Sequence, residues 1–172
     1  MLDVRLMISS GGDTKRHRDI AVDMATRVSH LFTYQLNQPV TIRQWDYRFD
    51  NPTVVPAGTL ATRSLSMVDS SEFLLAIFGE NVPPIASQEI LRVFERRRDG
   101  APVDFRLFLD PRKKTTEHDD FLARIKTEFG EEIVYAEYQS ELDFQATVVM
   151  TLFEYVIGKL TRGTAIGGSR VR

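Results

Sequence analysis

Phe73-Leu74-Leu75-Ala76-Ile77-Phe78-Gly79 is an unbroken apolar run closed by a glycine. No polar residue marks a face that could meet water, so the run predicts a central strand covered on both sides, as in a parallel sheet. A Pro83-Pro84 turn follows, and then Ser87-Gln88-Glu89 at the predicted start of a helix. In open α/β sheets the loop and helix start after such a strand form the usual ligand crevice. Glu89 is therefore the first candidate for chemistry.

Working outward, strand and helix patterns alternate. Residues 2–8 predict a strand with Val4, Leu6 and Ile8 on one face, running into the loop Ser9-Ser10-Gly11-Gly12-Asp13-Thr14. Ile20, Met24, Val28 and Leu31 give residues 15–34 a helical period. Residues 39–46 predict a second strand of mixed polarity, nearer an edge. Residues 47–58 hold two prolines and predict a long loop. A short helix over 59–68 precedes the central strand, 72–79. Then come a helix over 86–98, a strand over 103–109, a helix over 116–129 and a strand over 133–138. The last helix, 141–160, carries Val149, Leu152, Phe153, Val156, Ile157 and Leu160 at three-four spacing. The expected division is a domain over 1–160 and a flexible tail or linker over 161–172.

Strands alternating with helices imply a parallel sheet with helices on both faces, joined by right-handed crossovers. The first, third and fourth strands are the most apolar, which predicts the order 2-1-3-4-5. The crevice then opens between the ends of strands one and three. The loop 9–13, Gly79-Glu80 and Ser87–Glu89 meet there, with Trp45-Asp46 ending strand two beside them.

Composition narrows the functions. The chain has 172 residues, enough for one domain with a real core. A net charge of −2 argues against a dedicated nucleic-acid binder, which needs a basic surface. There is no cysteine, hence no disulfide, thiolate nucleophile or Cys-based zinc site. No apolar stretch approaches the ~20 residues of a membrane span. The N-terminus lacks the apolar core of a signal peptide. A cytoplasmic location, with no membrane association, is the expectation. His17, His30 and His118 have no second ligand at metal spacing, so no metal is assigned.

These residues together resemble a family. The chain is similar, over about residues 4–158, to the divergent Toll/interleukin-receptor (TIR)-like domains found at the N-terminus of bacterial STAND-type signalling and defence proteins. The resemblance is carried by strand one ending in Ser9-Ser10 with Asp13 beyond. It is carried also by Trp45-Asp46 after strand two, by Val68-Asp69-Ser70-Ser71 before the central strand, and by Ser87-Gln88-Glu89. Where the family often has a Trp-Cys pair before its glutamate, Ala86-Ser87-Gln88 stands here. The fold implied is a flavodoxin-like three-layer α/β domain. The activity implied is cleavage of the nicotinamide–ribose bond of NAD on oligomerisation, with NAD as substrate and no resident cofactor. Glu89 is the implied catalytic residue; Ser9, Ser10, Asp13, Trp45, Asp46, Gly79 and Ser87 are the implied substrate-binding residues. Self-association and further domains in a longer protein are also implied.

Each residue also has a plainer reading. Glu89, placed in the first helical turn, would complement the helix dipole, a contribution of ~0.3–1 kcal/mol. Ser9, Ser10 and Asp13 would be turn and cap residues, and Trp45 a packing residue. Arg96-Arg97-Arg98 and Arg112-Lys113-Lys114 read as solvated basic ends. Three function classes follow: an NAD-cleaving effector, a non-catalytic TIR-like self-association module, and a nucleoside N-glycoside hydrolase or deoxyribosyltransferase. The last needs a second acid near the base, for which Asp13, Asp46 and Asp69 are available.

Overall fold

Leu2–Ser10 (β1), Val40–Trp45 (β2), Phe73–Phe78 (β3), Asp104–Leu109 (β4) and Ala136–Glu137 (β5) form one sheet in the order β2-β1-β3-β4-β5. Every pairing is parallel. This is the predicted order, seen in a computed structural model that describes residues 1–45 and 57–167. Among the described residues five helices cover the sheet: α1 (Lys15–His30), α2 (Ala57–Ser70), α3 (Pro84–Arg98), α4 (Thr116–Phe129) and α5 (Glu141–Gly167).

The alternation of side chains along a strand splits the core into two. Phe73, Leu75 and Ile77 join Val4, Leu6 and Ile8 under α1 and α5. Leu74, Ala76 and Phe78 join Met7 under α3 and α4. All of β3 is buried because it serves both layers at once. That is why its sequence shows no alternation. β2 lies at the edge and lends one face, Val40 and Ile42, to the α1 layer.

Some boundaries differ from expectation. β1 continues to Ser10, and Ser9 and Ser10 pair with Ala76 and Ile77, so these serines belong to the sheet and not to the loop. α3 starts at Pro84, with Pro83 at its N-cap. Proline suits a first helical position, where its fixed φ fits and its missing N–H would lack a partner anyway. Glu89 therefore falls in the second turn, and the first turn holds no acid. The helix-dipole reading of Glu89 is corrected accordingly, since that effect fades within one turn. β5 is reduced to Ala136–Glu137, because only Phe108 and Leu109 of β4 pair with it. Ile133 and Tyr135 pack against the second core layer instead. α1 ends in a π-helical turn, Leu31–Gln35.

α5 continues to Gly167, so the expected tail is helical that far, and residues 168–172 lie outside the described ones. α2 begins at Ala57, and the remainder of the predicted loop, 47–56, also lies outside. Among the described residues no helix is long and apolar enough to cross a membrane.

Candidate active site

β1 and β3 are neighbours, but the helices that follow them take opposite faces. α1 packs in the layer of Ile8, and α3 in the layer of Phe78. The chain therefore parts at the C-terminal ends of these two strands, where a crevice must open. A cavity of about 150 Å³ lies there. Ser9, Ser10, Gly11 and Gly12 line it from the β1 side, Arg18 from α1, and Pro83, Pro84, Ile85 and Glu89 from the α3 side.

Glu89 sits on the inner face of α3 among Ala86, Ile90 and Val93 and is 2% exposed. Burying a carboxylate is costly unless its oxygens are hydrogen-bonded. Here Ser9 Oγ donates to Oε2 and Ser64 Oγ donates to Oε1, so β1 and α2 each supply one donor. Ser64 and Ser9 are themselves buried. Each carboxylate oxygen thus has a hydroxyl donor from a separate element. Sequence reading placed Ser9 here but missed Ser64. The available signal was its spacing: Ser64 lies one helical turn before Val68 on the buried side of α2.

Arg18 was also missed. It is 3% exposed and begins the buried stripe of α1 that continues through Ala21, Met24, Ala25 and Val28. Its Nη1 donates to Ser10 Oγ at 3.3 Å, and its Nη2 lies 3.9 Å from Asp19 Oδ1. Ser10 is thus in the cavity wall as expected, with Arg18 as its partner.

Asp13 and Gly79 meet each other. Asp13 Oδ2 accepts the backbone N–H of Glu80 at 2.8 Å, which ties the β1 loop to the end of β3. A Cβ on Gly79 would stand 2.1 Å from that same oxygen, so glycine is required for the tie. Gly11 is similarly confined, because a Cβ there would meet Asp13 Oδ1 and Pro83 at 2.7 Å. The cap function foreseen for Asp13 thus acts on the β3–α3 loop and not on α1. Ser87 Oγ donates to Pro84 O at 2.8 Å within its own helix, and Ser87 is not in the cavity wall. Trp45 ends β2 opposite Met7. Its side chain and all of Asp46 lie outside the described residues.

The other polar candidates have tasks elsewhere. Asp69 receives a two-pronged contact from Arg92, at 2.7 and 3.1 Å. Arg96 donates to the carbonyls of Val68 and Ser71 and so caps the end of α2, which replaces the solvated reading of this residue. Arg112 grips Asp110 at 2.8 and 2.6 Å. His118 is fully buried, and its Nδ1 accepts the Thr115 N–H at 3.0 Å in a capping box that starts α4. His17 packs its ring 5.1 Å from Tyr138 and 4.9 Å from Phe144. Burial lowers its pKa, and the nearby Lys113 adds to the effect.

No family model and no curated protein matches the chain. Among solved structures, the chain is similar to one described as the crystal structure of the RPS4 and RRS1 TIR domain heterodimer. The two share 11% identity at a TM-score of 0.48, with 88% of this chain and 96% of that chain covered. The fold rests on the strand order itself: a parallel 2-1-3-4-5 sheet between two helical layers, the flavodoxin-like arrangement.

Proposed function

We propose that this is a TIR-like signalling domain that hydrolyses the nicotinamide–ribose bond of NAD, with Glu89 as the catalytic carboxylate. The observation that carries the reading is Glu89 itself. It is a buried carboxylate in the wall of the crevice, held on one oxygen by Ser9 and on the other by Ser64.

The chemistry suits that arrangement. When the bond between ribose C1′ and the pyridinium nitrogen breaks, its electron pair goes to nitrogen. Nicotinamide leaves neutral, so no proton donor is required. Positive charge builds on the ribose, and a carboxylate fixed beside C1′ stabilises it electrostatically. Water then bonds to C1′ and gives up a proton, leaving the sugar hydroxyl of ADP-ribose. Two hydroxyl donors from separate elements hold the carboxylate in one orientation, which is what preorganised stabilisation needs.

The nucleoside reading is disfavoured by the same wall. A purine or pyrimidine leaves as a poor anion unless an acid protonates it. Among the described residues lining the cavity, Glu89 is the one carboxylate. Of the three acids available to that reading, Asp13 is engaged with Glu80 N–H and Asp69 with Arg92, and Asp46 lies outside the described residues.

The non-catalytic reading also has an observation in its favour. Tyr34 and Leu36, beyond α1, and Leu142, Met150 and Ile157 on α5 are large apolar residues left exposed. Such residues suit a self-association face, and association would serve either reading.

The test is incubation of concentrated protein with NAD, and separately with adenosine and with 2′-deoxycytidine, each nucleoside with and without a second free base, followed by chromatography. Release of nicotinamide without release of adenine or cytosine supports the proposal. Release of the nucleobases alone favours the nucleoside reading. Inactivity towards all three, in protein shown to be associated, leaves the self-association module.

A further inference from the structure

The opposite edge of the sheet carries a second cavity. Its volume is about 210 Å³, and it lies at the N-terminal ends of β3 and β4, beside α5. β5 pairs only with Phe108 and Leu109, so among the described residues no strand flanks the first half of β4 on that side. The strand period puts Asp104 and Arg106 on the same face as buried Phe108, the face that meets α5. Both remain exposed there, and with Glu154 of α5 they line the cavity. Among the described residues, none of these three charged groups makes an ion pair or a side-chain hydrogen bond.

The rest of the wall is aromatic. Tyr155 of α5 stacks on Phe73 with 4.5 Å between ring centres, and Lys159 Nζ stands 5.2 Å from the Tyr155 ring. Two polar atoms here are buried with no hydrogen-bond partner among the described residues: the Tyr155 hydroxyl and Glu72 Oε1. The other Glu72 oxygen, Oε2, lies 3.6 Å from Lys159 Nζ. Burial pushes the Tyr155 hydroxyl pKa up, and the Glu72 and Asp104 carboxylates add to the effect. The hydroxyl therefore keeps its proton as a donor, and a buried donor without an acceptor is costly.

We infer that this cavity binds a free α-amino acid with a cationic side chain, of the lysine or arginine kind. Two unpaired carboxylates and one unpaired guanidinium in the wall complement a small molecule with two cations and one anion. Asp104 and Arg106 stand two residues apart on one strand, roughly 6.5 Å. An ammonium and a carboxylate attached to one carbon fit between them. The ligand carboxylate meets Arg106, whose fork matches its two oxygens, and accepts the Tyr155 hydroxyl proton in a hydrogen bond. The α-ammonium meets Asp104, and the side-chain cation meets Glu154. The methylene stem lies along the Phe73 and Tyr155 rings. This site is independent of the proposed reaction, which is placed at the other edge of the sheet.

The experiment is calorimetric titration of the full chain at low salt, where exposed charges are least screened. The probes are L-lysine, L-arginine, cadaverine, which lacks the carboxylate, and L-norleucine, which lacks the side-chain ammonium. Expected is saturable one-site binding of lysine or arginine, at least tenfold tighter than of either analogue. Arg106→Gln should bring lysine down to the affinity of cadaverine, and Glu154→Gln to that of norleucine. Both changes are at exposed positions, so both variants should melt as the wild type does. Tyr155→Phe should weaken binding severalfold at a melting temperature that is unchanged or higher, since it removes the unpartnered hydroxyl. Glu89→Gln should bind as the wild type does.

Three results would overturn the inference. The first is no saturable binding of lysine or arginine by the folded wild type up to about 10 mM. The second is lysine, cadaverine and norleucine binding alike, or Arg106→Gln binding lysine as the wild type does. The third is a loss of lysine binding in Glu89→Gln as large as in Arg106→Gln, which would move the binding to the other cleft.

Discussion

Two carboxylates are buried at the same edge of the sheet, and they are held differently. Asp110, at the end of β4, is 4% exposed and grips Arg112 through both oxygens. It also accepts the Arg112 backbone N–H at 3.0 Å, which starts a turn. Glu89 is 2% exposed, lines the cavity and takes a serine hydroxyl on each oxygen. A carboxylate matched to a guanidinium in its own turn serves the chain's geometry. A carboxylate held by serine hydroxyls in the wall of a cavity is placed to face whatever enters the cleft. Burial is common to the two acids; a place in the cavity wall belongs to Glu89.

The largest effect that can break this comparison is on rate. Glu89→Gln preserves size and hydrogen bonding and removes the charge. Nicotinamide release should fall roughly a hundred- to a thousandfold, a loss of ~2.7–4 kcal/mol. Melting should change little or rise, because the variant no longer buries a charge. A melting temperature that falls steeply while the rate per folded molecule holds would place Glu89 with Asp110 among the structural acids.

Asp110→Ala should do the reverse. Loss of this charge-assisted contact, in which Asp110 is buried and Arg112 is largely exposed, should lower stability measurably, with activity per folded molecule retained. Arg112 holds the Asp110 carboxyl below its ordinary value, chiefly through their hydrogen bonds. Folding therefore favours the ionised form. The stabilisation is fully present above the ordinary Asp pKa of about 3.9 and is lost as pH falls through the lower folded value. Denaturant melts at pH 6 and pH 3 should show the two proteins converging at the lower pH. An Asp110→Ala difference that stays constant with pH would contradict the assignment.

Gly79→Ala sharpens the comparison from a third acid, Asp13. The added Cβ would stand 2.1 Å from Asp13 Oδ2. Relief requires the Glu80 tie to shift, at a cost of about 1–3 kcal/mol. The double variant Gly79→Ala/Asp13→Ala should recover part of that loss, and additive losses would show that the two residues do not meet.

The smallest effect concerns Thr115→Ala, which removes one half of the capping box with His118. It should cost about 0.5–2 kcal/mol without altering the cleft, and urea melts would measure it.

The sheet was legible in the sequence because β3 is uniformly apolar and its neighbours nearly so, which ranks the strands from centre to edge. The helix boundaries were less legible where proline is involved. Pro84 reads as a breaker yet opens α3, and this displaced Glu89 from the first turn to the second. The cleft was half legible. Ser9, Ser10 and Glu89 could be placed at the cleft from sequence because they lie at the end of strand one and after strand three. Arg18 and Ser64 were missed because nothing local marks them. Their signal is positional: each lies at the head of an apolar helical stripe, Arg18 before Ala21 and Met24, and Ser64 before Val68. Glu89 shares the pattern among Ala86, Ile90 and Val93. A polar residue in the apolar stripe of a helix is buried when the helix docks, and it then needs polar company. In this fold the C-terminal edge of the sheet supplies that company.

The central claim is that the Glu89 carboxylate turns this cleft into an NAD-cleaving site. The most direct measurement is nicotinamide release from NAD by the wild-type chain and by folded Glu89→Gln, both at high concentration and forced to associate by fusion to an oligomer. The account predicts steady release by the wild type and at least a hundredfold less by Glu89→Gln at a melting temperature that is unchanged or higher. Equal release by the two proteins, or none by an associated and folded wild type, would contradict it.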